Sequence, residues 1–318
     1  MSRASRPPAT TGTTIPASAS KSSAGRRPQP PPAPHRQGRG LLGVFAGSAA
    51  ALLIVGGFWL VGRGGTDSAD AAGAYVGGDL HSVTVADGRL FVGGHDGVAS
   101  STDQGQHWVQ VTSLSGADAM GWAVTPGAIL VGGHTGLFRS TDGGLSFATA
   151  DGLGQVTDVH ALGAAADTVY LASPQAGLLA SSDGGSTWQL RNTSVGQAFM
   201  GTIMVDPKNP NHLVAPDMQH GVVTSSDGGR TWTALGGPEG TMSVAWDPTN
   251  IQRIVAVGMG GGAVSSDGGR TWAELELPQG TSVVTFSADG TTLYAGALDG
   301  QTARISTSTD GGTTWTAR

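Results

Sequence analysis

The chain has 318 residues, 53 glycines, no cysteine and a formal net charge of −6. Without cysteine, disulfide staples and thiolate chemistry are excluded. The charge is unevenly split: residues 1–66 carry eight basic residues and no acid, while the rest carries 9 basic and 23 acidic residues, which points away from nucleic acid as a partner.

Residues 1–40 are rich in Pro, Ser, Thr, Ala and Arg, with Pro30-Pro31-Pro32 and almost no large apolar side chain. Such a segment cannot bury enough surface to offset its conformational entropy and is expected to be a disordered cytoplasmic segment. Residues 41–62, Leu41 to Gly62, form an apolar run of 22 residues without a charge. At a rise of about 1.5 Å per residue the run spans a hydrocarbon core of roughly 30 Å. Arg36 and Arg39 precede it and Arg63 follows, so the basic excess predicts a single-pass helix with the N-terminus inside and the remainder extracytoplasmic. A cleaved signal peptide is the alternative, with Ala69-Asp70-Ala71 as a small-x-small site, but the run is longer than such segments usually are. Residues 63–77 are small and polar and read as a flexible linker.

Residues 78–318 repeat. The octet Ser225 to Trp232 (S-S-D-G-G-R-T-W) recurs at Ser181–Trp188, Ser265–Trp272 and Ser308–Trp315, with Phe147 closing the copy at Ser140 and a worn copy, containing Gln104 and His107, at Ser101–Trp108. Its aspartates, Asp103, Asp142, Asp183, Asp227, Asp267 and Asp310, are 39, 41, 44, 40 and 43 residues apart. A period near 40 signals a propeller or a solenoid. Ser and Asp satisfy backbone N–H groups across a turn, the Gly two places after each Asp permits positive φ, and the closing aromatic is suited to burial between sheets. All six aspartates are therefore expected to be structural.

The octets resemble the Asp-box (BNR) repeat of sialidases, sortilin-type receptors and bacterial photosystem-assembly propellers, over about residues 78–318. The resemblance implies that each octet is the hairpin between the third and fourth strands of a blade. The expected fold is all-β: a six-bladed β-propeller of four-stranded blades. Inner strands are expected at about His81–Val85, Gly121–Val124, Thr157–Leu162, Gly201–Val205, Met242–Trp246 and Ser282–Phe286. Ala74-Tyr75-Val76 is a candidate to close the ring by pairing beside Trp315–Arg318.

Eight residues before the octet aspartates stand His95, His134, Gln175, Gln219 and Met259. These fall in second-to-third-strand loops, on the face opposite the octets, with Asp96, His220, Asp217 and Asp299 in the same class of position. This face is the expected binding surface. Two histidines and two carboxylates suit a divalent metal, but residues on separate blades have no diagnostic spacing, so neither metal nor cofactor is expected. Trp122 and Phe199 are expected to pack inside.

A sialidase, by resemblance, uses a Tyr nucleophile assisted by Glu, an Asp acid, three arginines on the substrate carboxylate and an F/Y-R-I-P segment. That segment is missing here, the repeat region and its linker hold only Tyr75, Tyr170 and Tyr294, and Arg230 and Arg270 sit within octets. The sequence therefore favours a non-enzymatic binding or scaffold module, with an envelope protein, a peptide or a glycan as partner. The alternative is a glycosyl-hydrolase-like enzyme using another carboxylate pair, such as Asp217 with Asp299.

Overall fold

The computed structural model describes residues 73–318. The expected segments 1–40 and 41–62 lie outside the described residues. Among the described residues no helix is long and apolar enough to cross a membrane. The only helical element among them is a single 3-10 turn, Thr112–Leu114.

Every blade is built on four antiparallel strands read outward from the centre; the expected inner strand Gly201–Val205 is split, Gly201–Thr202 pairing in parallel with Ala161–Leu162 of blade III and only Met204–Asp206 entering blade IV. Blade I runs Leu80–Ala86, Arg89–Gly94, Val98–Ser101, Val109–Gln110, and blade II runs Gly121–Thr125, Ala128–Gly133, Gly136–Ser140, Ala148–Thr149. Blade III contains Ala161–Ala165, Thr168–Ser173, Gly177–Ser181 and Gln189–Asn192. In blade IV, Met204–Asp206 is followed by Asn209–Asp217, Gly221–Ser225 and Thr233–Gly236. Blade V holds Ser243–Asp247, Asn250–Gly258, Gly261–Ser265 and Ala273–Leu275, and blade VI holds Thr281–Phe286, Leu293–Asp299, Thr302–Ser308 and Thr316–Ala317.

Second strands such as Leu90-Phe91-Val92 and Ile129-Leu130-Val131 are apolar throughout because both faces of a blade are covered. Successive side chains point to opposite faces. Leu90 and Val92 therefore enter the core between blades VI and I, while Phe91 enters the core between I and II. Six apolar clusters occupy the six seams, including one that joins blade VI to blade I through Val83, Leu90, Val283 and Tyr294. The ring is therefore closed. At its centre is a narrow cavity of about 50 Å³ lined by Leu80, His81, Met120, Met200, Met242 and Ser282, among others.

The octets form the hairpins between third and fourth strands. In each, the Ser hydroxyl donates to the first carboxylate oxygen of the Asp and accepts the N–H of the second glycine, as in Ser225 Oγ–Asp227 at 2.8 Å and Gly229 N–Ser225 Oγ at 2.9 Å. The same oxygen accepts the N–H of Thr231 at 2.9 Å, and its partner oxygen accepts the Thr231 hydroxyl at 2.6 Å. In the worn copy, His107 Nδ1 takes the place of that hydroxyl, 2.6 Å from Asp103. Each closing aromatic packs into the seam with the preceding blade: Phe147 between I and II, Trp188 between II and III, Trp272 between IV and V. Trp272 Nε1 also donates to Leu235 O of the preceding blade at 2.9 Å.

The residue four places after each Asp lowers that carboxyl's pKa, mainly through its hydroxyl at Asp142, Asp183, Asp227 and Asp310 and through its backbone N–H at Asp103 and Asp267. Asp227, Asp267 and Asp310 are held at about 2. A folded pKa below the unfolded value of about 3.9 stabilises the native state fully above that value, and the contribution is lost as pH falls through it towards 2. The melting temperature is therefore expected to fall steeply between pH 4 and pH 2. A thermal melt series that stays level across that window would show that the octet carboxylates do not clasp the fold.

Ring closure differs from the sequence expectation. The strand Ala74–Tyr75 pairs with the third strand of blade VI, Ala74 opposite Ala303 and Tyr75 opposite Thr302, while Thr316–Ala317 pairs with the same strand at Ser306 and Thr307. Among the described residues the first and last strands thus lie end to end as one outer strand rather than side by side. The cause is length: Thr316–Ala317 is two residues long and leaves the backbone groups of Thr302 and Ala303 without a neighbour. The last residues of the expected linker are therefore part of the propeller, with Ala74 and Val76 fully buried. A second correction concerns the inner strand of blade III, which starts at Ala161 rather than Thr157. Val159 N instead donates to Gly133 O of blade II at 3.1 Å, so Thr157–His160 is an inter-blade link.

Candidate functional site

The face opposite the octets carries the second-to-third-strand hairpins and the links between blades. The links are as important as the hairpins. His81 is the second residue of the inner strand of blade I, His95 and His134 sit on the hairpins of blades I and II, and Asp118, Asp158 and His160 sit on the links into blades II and III. Together they form one row. Adjacent imidazole centres are 6.0 Å (His81–His95), 6.2 Å (His95–His134) and 5.3 Å (His134–His160) apart.

Asp118 anchors the row, with 2% of its side chain exposed. Its Oδ2 lies 2.5 Å from His134 Nδ1 and 3.9 Å from His95 Nδ1, and its Oδ1 lies 3.5 Å from His81 Nε2. Asp158 Oδ1 lies 3.2 Å from His160 Nε2 and 3.9 Å from His134 Nε2. Burial pushes the His81 and His160 imidazoles below their ordinary pKa, against the attraction of Asp118 and Asp158 respectively, because desolvation penalises the charged ring. Two groups in the row, His81/His95/Asp118 and His134/Asp158/His160, each bring three donor atoms within 4.8 Å of one another.

Of the residues expected on this face, His95 and His134 join the row. Asp96 does not: its carboxylate accepts the Tyr75 hydroxyl at 2.8 Å, which raises the tyrosine's pKa and pins the closing strand to blade I. Gln175 is spent locally, its Oε1 accepting Thr157 N at 3.0 Å. Met259 is 74% exposed. Asp217 and His220 belong to a separate cleft of about 390 Å³ between blades III and IV, lined also by Ser194, Gln197, Phe199 and Gln219. There Asp217 Oδ1 accepts the N–H groups of Gln219 at 2.7 Å and His220 at 3.0 Å. Asp299 lies elsewhere, exposed and 3.5 Å from Arg304 Nε. Asp217 and Asp299 are thus each engaged locally and do not share that cleft. Trp122 and Phe199 are fully buried, and Trp122 Nε1 donates to Ser82 Oγ at 2.8 Å.

His81, Asp118, Asp158 and His160 were missed because counting from the octet aspartates aligns hairpins but not links. Counting instead from the inner strands places Asp118 two residues before Met120 and Asp158 two before His160, one 40-residue repeat apart.

No family model and no curated protein matches the chain. Its fold is similar to that of a GH74 xyloglucanase from Xanthomonas campestris, with a TM-score of 0.54 and 18% identity over 78% of this chain, although the chain spans only 46% of that enzyme. It is also similar to YCF48 bound to D1 peptide (TM-score 0.50, 17% identity, 77% of this chain and 83% of that one). The Nidogen/Laminin complex gives a TM-score of 0.54 at 13% identity, covering 69% of this chain and 88% of that one. At these identities the likeness is one of fold, and the chain belongs with the propellers: six blades of four antiparallel strands closed into a ring.

Proposed function

We propose that this protein is a recognition module, held outside the membrane by residues 41–62, whose loop face binds a peptide or a segment of an envelope protein. The observation that carries the reading is the cleft of about 390 Å³ between blades III and IV. Its volume falls in the range of about 300–1,000 Å³ typical of ligand sites. The exposed side chains of Gln219 and His220 stand at its edge, and Phe199 and Trp232 pack edge to face beneath it with ring centres 4.8 Å apart. A rigid sheet frame carrying polar loops is suited to recognition. The propellers of similar fold named with a peptide and with laminin lend support. Hydrolysis has less: Asp217 is occupied by backbone donors and Asp299 by Arg304.

The test is a peptide-display selection on residues 73–318, followed by affinity measurement of the recovered peptides. Replacing Gln219 and His220 together by Ala is expected to weaken binding about tenfold, equivalent to about 1.4 kcal/mol. Turnover of a glycoside in a substrate panel, abolished by Asp217→Asn, would overturn the reading in favour of a hydrolase.

A further inference from the structure

Four of the chain's eight histidines stand in the single row described above, and the row contains polar atoms that the protein does not satisfy. His81 Nε2, Asp118 Oδ1, Asp158 Oδ1 and His160 Nδ1 are buried and have no hydrogen-bond partner among the described residues. Buried polar groups are ordinarily paired, and leaving one orphaned is costly. Asp118 is the sharpest case, its carboxylate almost wholly enclosed with Oδ1 aimed at His81.

The spacing fits a shared cation better than a hydrogen bond. Two ligands at about 2.05 Å from a tetrahedral ion lie roughly 3.3 Å apart. His81 Nε2–Asp118 Oδ1 is 3.5 Å and His160 Nε2–Asp158 Oδ1 is 3.2 Å. The third donors, His95 Nδ1 and His134 Nε2, stand 3.9 Å from Asp118 Oδ2 and Asp158 Oδ1, within reach of a small side-chain rotation. His134 bridges the two groups: its Nδ1 lies 2.5 Å from Asp118 Oδ2, and its Nε2 is on the side of Asp158, 3.9 Å from Oδ1. A carboxylate behind a ligating imidazole fixes tautomer and ring orientation in the same way at metal sites.

We infer that the row is a two-centre site for first-row divalent ions of the zinc and copper class, one held by His81, His95 and Asp118 and the other by His134, Asp158 and His160. Two imidazoles and one carboxylate per centre select these ions over magnesium and calcium, which prefer all-oxygen shells. Each centre has three protein ligands, so a fourth position stays open to solvent or to a partner's side chain. The thioethers of Met120, Met200 and Met242 line the channel against His81 and add a soft, water-poor wall to the first centre. This inference does not depend on the peptide cleft, which shares no residue with the row.

The test is isothermal titration of the full chain in detergent, stripped with EDTA, using Zn²⁺, Cu²⁺ and Ca²⁺ separately. Two equivalents of Zn²⁺ and of Cu²⁺ are expected, Cu²⁺ the tighter, and none of Ca²⁺. The His81→Gln/His95→Gln pair is expected to remove one equivalent, Asp158→Asn/His160→Gln the other, and the four changes together both. Each altered centre is expected to lose at least about 100-fold in affinity. A second readout needs no variant: the paramagnetic resonance spectrum of the Cu²⁺-loaded native chain is expected to show nitrogen hyperfine structure from imidazole. An oxygen-only spectrum, zinc stoichiometry unchanged in the fourfold variant, or equal binding of Ca²⁺ overturns the assignment. A single equivalent abolished by either pair overturns the two-centre form of it.

Discussion

Gly229→Ala is expected to destabilise the propeller by about 3 kcal/mol, whereas Gly184→Ala, a change at the neighbouring position of an equivalent octet, is expected to cost about 1 kcal/mol. Both glycines have positive φ, +82° and +68°, so both substitutions incur the strain of an L-residue in the left-handed region. They differ in surroundings. Nothing lies within 4 Å of a methyl group placed on Gly184, but one on Gly229 collides with Leu178 of the preceding blade. Leu178 is fully buried and cannot swing aside, so overpacking adds about 1–3 kcal/mol to the strain. For a domain of this size each kcal/mol moves the melting temperature by roughly 2–4 °C. Equal losses in the two variants would show that conformation alone dictates glycine at the second position. The chain already holds half of the comparison: Gln104 occupies the first position of the worn octet at φ +63°, while the second position, Gly105, remains glycine and faces Ile305 of the neighbouring blade.

A chain that begins at Gly73 is expected to melt with the full-length protein, and one that begins at Gly78 to melt roughly 15 °C lower. The five residues between those starts contribute the closing strand. They bury Val76 completely, about 1.5–3 kcal/mol of apolar transfer. They also supply the ladder to Thr302 and Ala303, the bond from Val76 N to Gln301 O at 3.0 Å, and the bond from Asp96 N to Val76 O at 3.1 Å. At about 0.5–1.5 kcal/mol net for each bond, the total is about 5 kcal/mol. Calorimetry on the two truncated chains checks this. Coincident melts would mean that the seam between blades VI and I holds without the closing strand.

The repeat made blade number and octet geometry legible, because a serine, an aspartate and two glycines at fixed offsets specify one hairpin wherever they occur. The seating of each closing aromatic in a seam followed from the same logic, although only Phe147 is buried there and the five tryptophans are half-buried. The ring's closure was only half legible. Ala74-Tyr75-Val76 reads as a strand, but its partner depends on how short the final strand is, which no local pattern states. The site was least legible. His95 and His134 lie on hairpins that keep register with the octets, whereas the links bearing Asp118, Asp158 and His160 vary in length and fall out of it. Treating Thr157–Leu162 as one strand concealed Asp158 and His160. A run that alternates apolar and polar residues looks the same whether it pairs within its own sheet or spans to the previous one.

The position of the closing strand has a mechanical corollary. Covalently, residue 73 leads directly into the two-residue strand that completes blade VI. Any pull arriving along the backbone from that side is borne first by a few hydrogen bonds and by Val76 seated in its seam, before any other blade feels it. Ring integrity and tension on the leading segment are thereby made interdependent.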